Sequence, residues 1–267
     1  MIYSNFLKTF VLATGLFYLS NAAPQGRGRG SPDSYDSGMG AGDYPIPEGY
    51  TVPLTLEGSK LLLSLCSAIN NPPLIGSNVT IVAPTSNLTL KYITLARGTV
   101  NYTCSPDVVN STDAPELLGT NLTLYDVAPL LPYLASEDDL HHFPAILVNM
   151  TEQAVAEFLN LPVLGYQYFP KIHYAITDLG SHGYMEGKAD ADYQIITADG
   201  NPRGPDGSVA LSWIREYASA GTPSWGVSQT YRVYTAGGEP GLGISCEEFG
   251  ETAEFDVQVA AEHWFYG

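Results

Sequence analysis

YITLARGTVNYTC, residues Tyr92 to Cys104, ends in the alternation that an extended chain with one buried face requires. Val100, Tyr102 and Cys104 fall on one side; Thr99, Asn101 and Thr103 fall on the other. Asn101-Tyr102-Thr103 is also an N-glycosylation sequon, and a glycan needs the solvent side. The two readings agree, with the sugar outward and Val100, Tyr102 and Cys104 inward. The stretch reads as a core strand whose end is stapled by a disulfide.

The flanking sequence is consistent with many short strands. Tyr50 to Leu56, Val79 to Val82 and Leu88 to Ala96 read as strands, and Arg97-Gly98 as a turn or bulge. Ser59 to Ile69 is apolar, ends at Asn70-Asn71-Pro72-Pro73, and fits a short helix or a buried strand. Ser105 to Gly119 reads as a loop and Asn121 to Asp126 as a strand. Ala128 to Leu140 and Thr151 to Leu159 are the helix candidates. The second has Val155, Phe158 and Leu159 at helical spacing, Glu152 in its first turn and Pro162 beyond its end. Gly165 to Ile176 returns to strand character, Gly180 to Gly187 is a turn region, and Asp199 to Gly207 is a loop. Val209 to Tyr217 reads as one strand. Trp225 to Thr235 alternates, with Val227, Gln229, Tyr231, Val233 and Thr235 on one side. Phe255 to Tyr266 is a terminal strand with a mixed aromatic edge. The chain has 18 Tyr against 9 Phe, and aromatic residues favour strands. The pattern predicts a mainly β fold, an antiparallel β-sandwich or barrel-like single domain over residues 44–267 with one or two short helices.

Met1 to Ala22 has the form of a secretory signal: Lys8, an apolar run from Thr9 to Leu19, and small residues before the cleavage point. That run is shorter than the roughly 20 residues of a spanning helix. Residues 23–43 are rich in Gly, Ser, Pro and Asp and read as a disordered segment. Six sequons, at Asn78, Asn87, Asn101, Asn110, Asn121 and Asn149, point to passage through a glycosylating secretory pathway. The formal charge is −17, one unit more negative once a leader carrying Lys8 is removed. A surface this acidic repels nucleic acid and anionic lipid. Three cysteines, Cys66, Cys104 and Cys246, allow one pair, and the arithmetic leaves three pairings open. Cys66 lies beside the apolar run Leu61 to Leu65 and reads as a buried free thiol.

GTVNYTCS at Gly98 to Ser105, LYDVAPLL at Leu124 to Leu131, YRVYTAGGEP at Tyr231 to Pro240 with Cys246 behind it, and the ending AAEHWFYG together resemble a secreted, mainly fungal family with bacterial relatives, catalogued as domain of unknown function 3455. The resemblance implies a single secreted domain and supports pairing Cys104 with Cys246. Relatives often carry another cysteine after Leu-Tyr-Asp, where this chain continues Val127-Ala128-Pro129, and paired histidines where it has Gly165-Tyr166-Gln167-Tyr168-Phe169. A metal role for those histidines does not carry over. Proteins of this kind are often labelled malate dehydrogenase. The chain gives that label no support, because Gly237-Gly238 to Gly243 is not followed by the helix a dinucleotide turn needs.

The remaining candidates for chemistry are sparse. His173, Asp178, His182 and Glu186 share a window at no zinc or iron spacing, and His141-His142 after Glu137-Asp138-Asp139 suit a helix end or the surface. Asp190/Asp192 and Glu247/Glu248 are carboxylate neighbours of the kind expected among 28 acids. Trp213, Trp225 and Trp264 could stack on sugar rings or pack in the core. Ser208 lacks the Gly-x-Ser-x-Gly context of a nucleophile. No catalytic, metal or cofactor residue is nominated and no cofactor is expected. The sequence-based expectation is a cell-wall or extracellular binding or structural protein, with cell-wall polysaccharide or an extracellular protein as partner. The alternative is an extracellular hydrolase of carbohydrate or ester. A cleft holding two carboxylates would favour the hydrolase, and a filled core with dispersed acids the binder.

Overall fold

The first long strand, β1 (Leu90–Thr103), runs unbroken through Arg97-Gly98, where the sequence suggests a turn or bulge. Gly98 is there because β2 passes against it: a Cβ at that position would stand 1.9 Å from the Asn121 carbonyl oxygen. The computed structural model describes residues 40–53, 81–104, 114–169, 174–190, 202–241, 246 and 254–267. The other strands are β2 (Glu116–Asp126), β3 (Val163–Tyr168), β4 (Ala175–Asp178), β5 (Tyr184–Ala189), β6 (Val209–Ala210), β7 (Ile214–Ala218), β8 (Ser224–Trp225), β9 (Gln229–Glu239) and β10 (Glu254–Tyr266). Eight of them pair in the order β10-β1-β2-β3-β4-β5-β7-β9, and β9 pairs back onto β10. Every pairing is antiparallel, so the sheet closes into an eight-stranded barrel without free edges. β6 adds to β9 and β8 to β5.

Alternation along the strands divides the apolar residues into two cores. Ala96, Val100, Tyr102, Leu122, Leu124, Leu164, Met185, Val257, Val259 and Phe265 fill the lumen. Ile93, Leu95, Tyr231, Val233, Trp264 and Tyr266 point outward into a second core with Leu131, Leu140, Leu147 and Val155. The outer core is supplied by the connection between β2 and β3. That connection holds two 3-10 turns (Leu131–Tyr133, Glu137–His142) and two short helices, α1 (Phe143–Leu147) and α2 (Glu152–Leu159). α2 matches the sequence signals: Thr151 Oγ1 accepts the Ala154 amide at 3.2 Å, and Asn160 closes the helix at a left-handed φ of 46°. The Ala128 to Leu140 candidate forms 3-10 turns, with Ser136 and Asp139 making a capping box.

Several boundaries differ from the sequence reading, each for a tertiary reason. β2 begins at Glu116, inside the expected loop, because Glu116 and Leu117 pair with Thr103 and Tyr102. β5 occupies the second half of the expected turn region, leaving the turn itself at Gly180–His182. Val209 to Tyr217 splits into β6 and β7, with Ser212 and Trp213 between them. In β9, Tyr234 adopts a left-handed φ of 46°, so Tyr231, Val233, Tyr234 and Ala236 all join the outer core while Thr235 turns away. β10 is no edge: it pairs with β1 and β9 and is buried on both faces. Tyr50 to Pro53 and Ile81-Val82, the described parts of two expected strands, form no strand, because no neighbouring strand pairs with them among the described residues. The Ser59 to Ile69 run, Leu54 to Leu56, Asn78, Asn110 and Cys66 lie outside the described residues.

The alternation from Val100 to Cys104 stands as read. Val100, Tyr102 and Cys104 are buried and Thr99, Asn101 and Thr103 half-buried. Cys104 is bonded to Cys246, with the Cα atoms 5.5 Å apart. The bridge spans 142 residues, and by chain entropy such a closure is worth about 5 kcal/mol. It joins the end of β1 to the connection between β9 and β10.

Candidate functional site

The lumen is closed at one end and open at the other. At the closed end Ala41 packs against the lumen core, the Gly42 amide donates to Asp126 Oδ2 at 2.7 Å, and Tyr92 stands edge-on to His182. At the other end lies a cavity of roughly 610 Å³. It is lined by residues from six strands, among them Val100, Tyr102, Leu117, Ala175, Gly187, Ile214 and Glu239, together with Phe169 and Leu211. The walls are apolar because lumen-facing positions along β1, β2 and β7 carry aliphatic side chains. The polar groups are few and converge: Glu216, Arg232, Glu239 and Thr120. This mix of apolar wall and placed charge is characteristic of small-molecule sites.

Arg232 Nη2 donates to the Ser212 carbonyl at 3.1 Å, and Nε reaches the same oxygen at 3.4 Å. Glu216 is buried and accepts from Gln167 Nε2 at 2.7 Å. Burial raises the Glu216 carboxyl above its ordinary range, against the pull of Arg232 and Gln167. Glu239 is raised in the same way, opposed by Arg232 and the Ser212 amide, and burial lowers the Arg232 guanidinium. Deeper in the lumen His263 has no exposure and no partner for either ring nitrogen. Burial, then Arg232, lowers its pKa to about 3, so it is neutral.

A second feature lies on the barrel's outside, opposite the helical layer. Tyr166, Asp178, Tyr184 and Trp225 are consecutive cross-strand partners on β3, β4, β5 and β8, so they form one outward row. Tyr166 is 51% exposed and Trp225 52%. Tyr217 on β7, opposite Lys188 of β5, adds a third exposed ring, and Lys188 Nζ lies 5.0 Å from the Tyr174 ring centre. These rings stand on a wall that no described helix packs against.

A family described as protein of unknown function (DUF3455) matches residues 84–267, a span containing all ten strands. The chain belongs to that family. No curated protein and no solved structure matches it.

In this DUF3455 chain the candidates read from sequence have separate fates. Asp178 Oδ1 accepts from the Gly180 amide and Glu186 Oε1 from the Tyr184 hydroxyl, while His173 lies outside the described residues. Among the described residues no three His, Cys, Asp or Glu side chains are grouped to hold a metal. Asp190 pairs with Arg215; Asp192, Glu247 and Glu248 are not described. Trp213 and Trp264 are core residues, and Trp225 alone of the three is exposed. Ser208 is buried in the turn after Gly204, its amide bonded to Asp206. Asn87, Asn121 and Asn149 are exposed, and Asn101 donates to Asp256 at the surface.

His141 is buried, where sequence put it at a helix end or on the surface. It lies in the last turn of the Glu137–His142 3-10 segment, but its ring turns into the outer core. Its Nδ1 lies 2.8 Å from Glu262 Oε1, its ring stacks on Tyr234 at 3.7 Å, and Trp264 Nε1 donates to Glu262 Oε2 at 3.0 Å. Both oxygens of Glu262 are thus engaged, and the pair holds the helical layer to β10. The lumen set Glu216, Arg232 and Glu239 had no sequence signal beyond strand parity, which places Glu216 beside Thr230 and Arg232 beside His263.

Proposed function

We propose that this is a secreted, N-glycosylated protein that binds cell-wall polysaccharide through its uncovered aromatic wall. The signal-like leader, the six sequons and a disulfide of the kind stable in oxidising compartments support export. The observation that carries the binding reading is the outward row Tyr166, Asp178, Tyr184 and Trp225, with Tyr217 beside it. Sugar rings present C–H faces that stack on aromatic faces and hydroxyls that bond to neighbouring carboxylates and amines. A wall of separated rings with Asp178, Glu186 and Lys188 among them supplies both. Acidic proteins need such neutral contacts to hold an uncharged polymer. In co-sedimentation with insoluble chitin and β-glucan, one polymer should retain the protein. The double change Tyr166→Ala with Trp225→Ala should weaken retention about tenfold or more. No retention by either, or retention indifferent to both changes, sinks the reading.

A specific observation favours a second reading, an extracellular hydrolase of carbohydrate or ester. Glu216 and Glu239 line one cavity, and burial raises both carboxyls, as the acid of a glycosidase requires. Turnover of aryl glycosides or aryl esters that disappears in Glu216→Gln would establish it over simple binding.

A further inference from the structure

The cavity at the open end of the barrel is unrelated to the aromatic wall, and its floor specifies a ligand. Arg232 has one acceptor, the Ser212 carbonyl, and no carboxylate within ion-pair distance among the described residues. Glu216 commits Oε2 to Gln167. Thr120 Oγ1 lines the same space, buried and without a partner. The Thr120 hydroxyl is costly in this state unless something bonds it, while the half-buried Arg232 and the free side of Glu216 turn spare hydrogen-bonding capacity to the cavity. The charges sort the candidates. An anion drawn to Arg232 meets two carboxylates, and a cation drawn to Glu216 and Glu239 meets the guanidinium. A neutral head with several hydroxyls or amides avoids both conflicts, donating to the carboxylates and accepting from Arg232. Val100, Leu117, Phe169 and Leu211 then cover an apolar body. A volume of roughly 610 Å³ is within the range of sites that take small organic molecules.

We propose that the lumen binds a neutral amphiphile, with a hydroxyl- or amide-rich head bonded to Arg232, Glu216 and Glu239 and an apolar body against the walls. The test is calorimetric titration of the intact glycoprotein with three probes of equal chain length, each below its micelle concentration: octyl glucoside, octanoate and octyltrimethylammonium. Octyl glucoside should bind with one-to-one stoichiometry and about tenfold more tightly than either ion. Arg232→Met and Glu239→Gln should each weaken it about tenfold. Glu239 is half-buried at the rim, so its variant answers the question even if Arg232→Met fails to fold. The wall variant Tyr166→Ala with Trp225→Ala should bind octyl glucoside unchanged. Equal or tighter binding of either ion, indifference to Glu239→Gln, or loss of binding in the wall variant overturns the assignment. Those outcomes are independent of polymer retention, so each reading can fail alone.

Discussion

The wall made by β9, β10 and β1 and the wall made by β3, β4, β5 and β7 follow the same alternation, yet their outward residues have opposite fates. On the first, Ile93, Leu95, Tyr231, Val233 and Trp264 lie under helices and turns. On the second, Tyr166 and Tyr217, with Trp225 of β8 added to β5, face solvent. The strands do not decide this; the connections do. Residues 127–162 are long enough to form a layer and return, whereas β4 and β5 are joined by a single 3-10 turn. The covered wall also holds the polar fastenings: Arg97 beneath the α1–α2 turn, His141 with Glu262, and the bridge from Cys104. Covered and bare walls should therefore answer substitution very differently.

The largest difference is expected at Arg97. Its side chain is buried on the outward face of β1, and its Nε donates to the Leu147 carbonyl at 3.0 Å while Nη2 donates to the Met150 carbonyl at 2.8 Å and to Gln258. The Leu147 carbonyl, at the end of α1, also accepts the Met150 amide, whereas the Met150 carbonyl in the turn that follows has no other donor among the described residues. Arg97→Met removes its bonds to the Leu147, Val148 and Met150 carbonyls at once and leaves the part-buried Met150 carbonyl unbonded, so the loss should be roughly 3–5 kcal/mol in denaturant unfolding. A loss below about 1 kcal/mol would mean that the helical layer is held by apolar contact alone.

A smaller, pH-dependent difference separates two neighbours on β10. Glu262 points to the helical layer and His263 into the lumen. Burial alone would lower the His141 pKa, but Glu262, with Glu137 and Asp138, more than offsets it, and the net shift is upward. A raised histidine pKa gives stability present in full below the unfolded value of about 6.5 and lost as pH rises through the folded one. Glu262→Gln should cost about 1–3 kcal/mol at acidic pH and less at alkaline pH. His263 has the opposite sign. With its pKa lowered to about 3 it must stay neutral when folded, so stability falls as pH drops below about 6.5, by about 1.4 kcal/mol per pH unit. His263→Leu should remove that acid slope, since both ring nitrogens are unpartnered and nothing is left unbonded. Thermal melts of the two variants from pH 4 to 9 should diverge in opposite directions.

How much of this was legible in the sequence varies by residue. Val100, Tyr102 and Cys104 could be placed because side-chain parity is local and Asn101 carries a sequon. Gly98 could not, because its cause is the Asn121 carbonyl on another strand. Tyr234 reverses the parity of β9 through one backbone angle that no composition rule signals in a tyrosine. β10 looked like an edge because alternation reports faces, and closure onto β9 is a matter of edges. Glu262 and His141 are 121 residues apart, and Glu216, Arg232 and Glu239 are ordinary charges until the barrel closes over them. The excess of tyrosine was visible; which rings would be covered depended on where residues 127–162 fold back.

That last dependence gives the smallest expected effect. If the bare wall is uncovered, Tyr217→Ala and Trp225→Ala remove side chains that support no layer. Tyr217 is 39% exposed, and its neighbour Arg215 is already paired with Asp190. Each change should move stability by no more than about 0.5 kcal/mol, against several for Arg97→Met. Denaturant midpoints of the two variants, measured beside Arg97→Met, make the comparison direct. A loss above about 2 kcal/mol at Trp225 would mean that this ring is packed in the working protein, by another segment or a second copy. The aromatic wall would then be a contact already satisfied, and a polymer would have no face to bind.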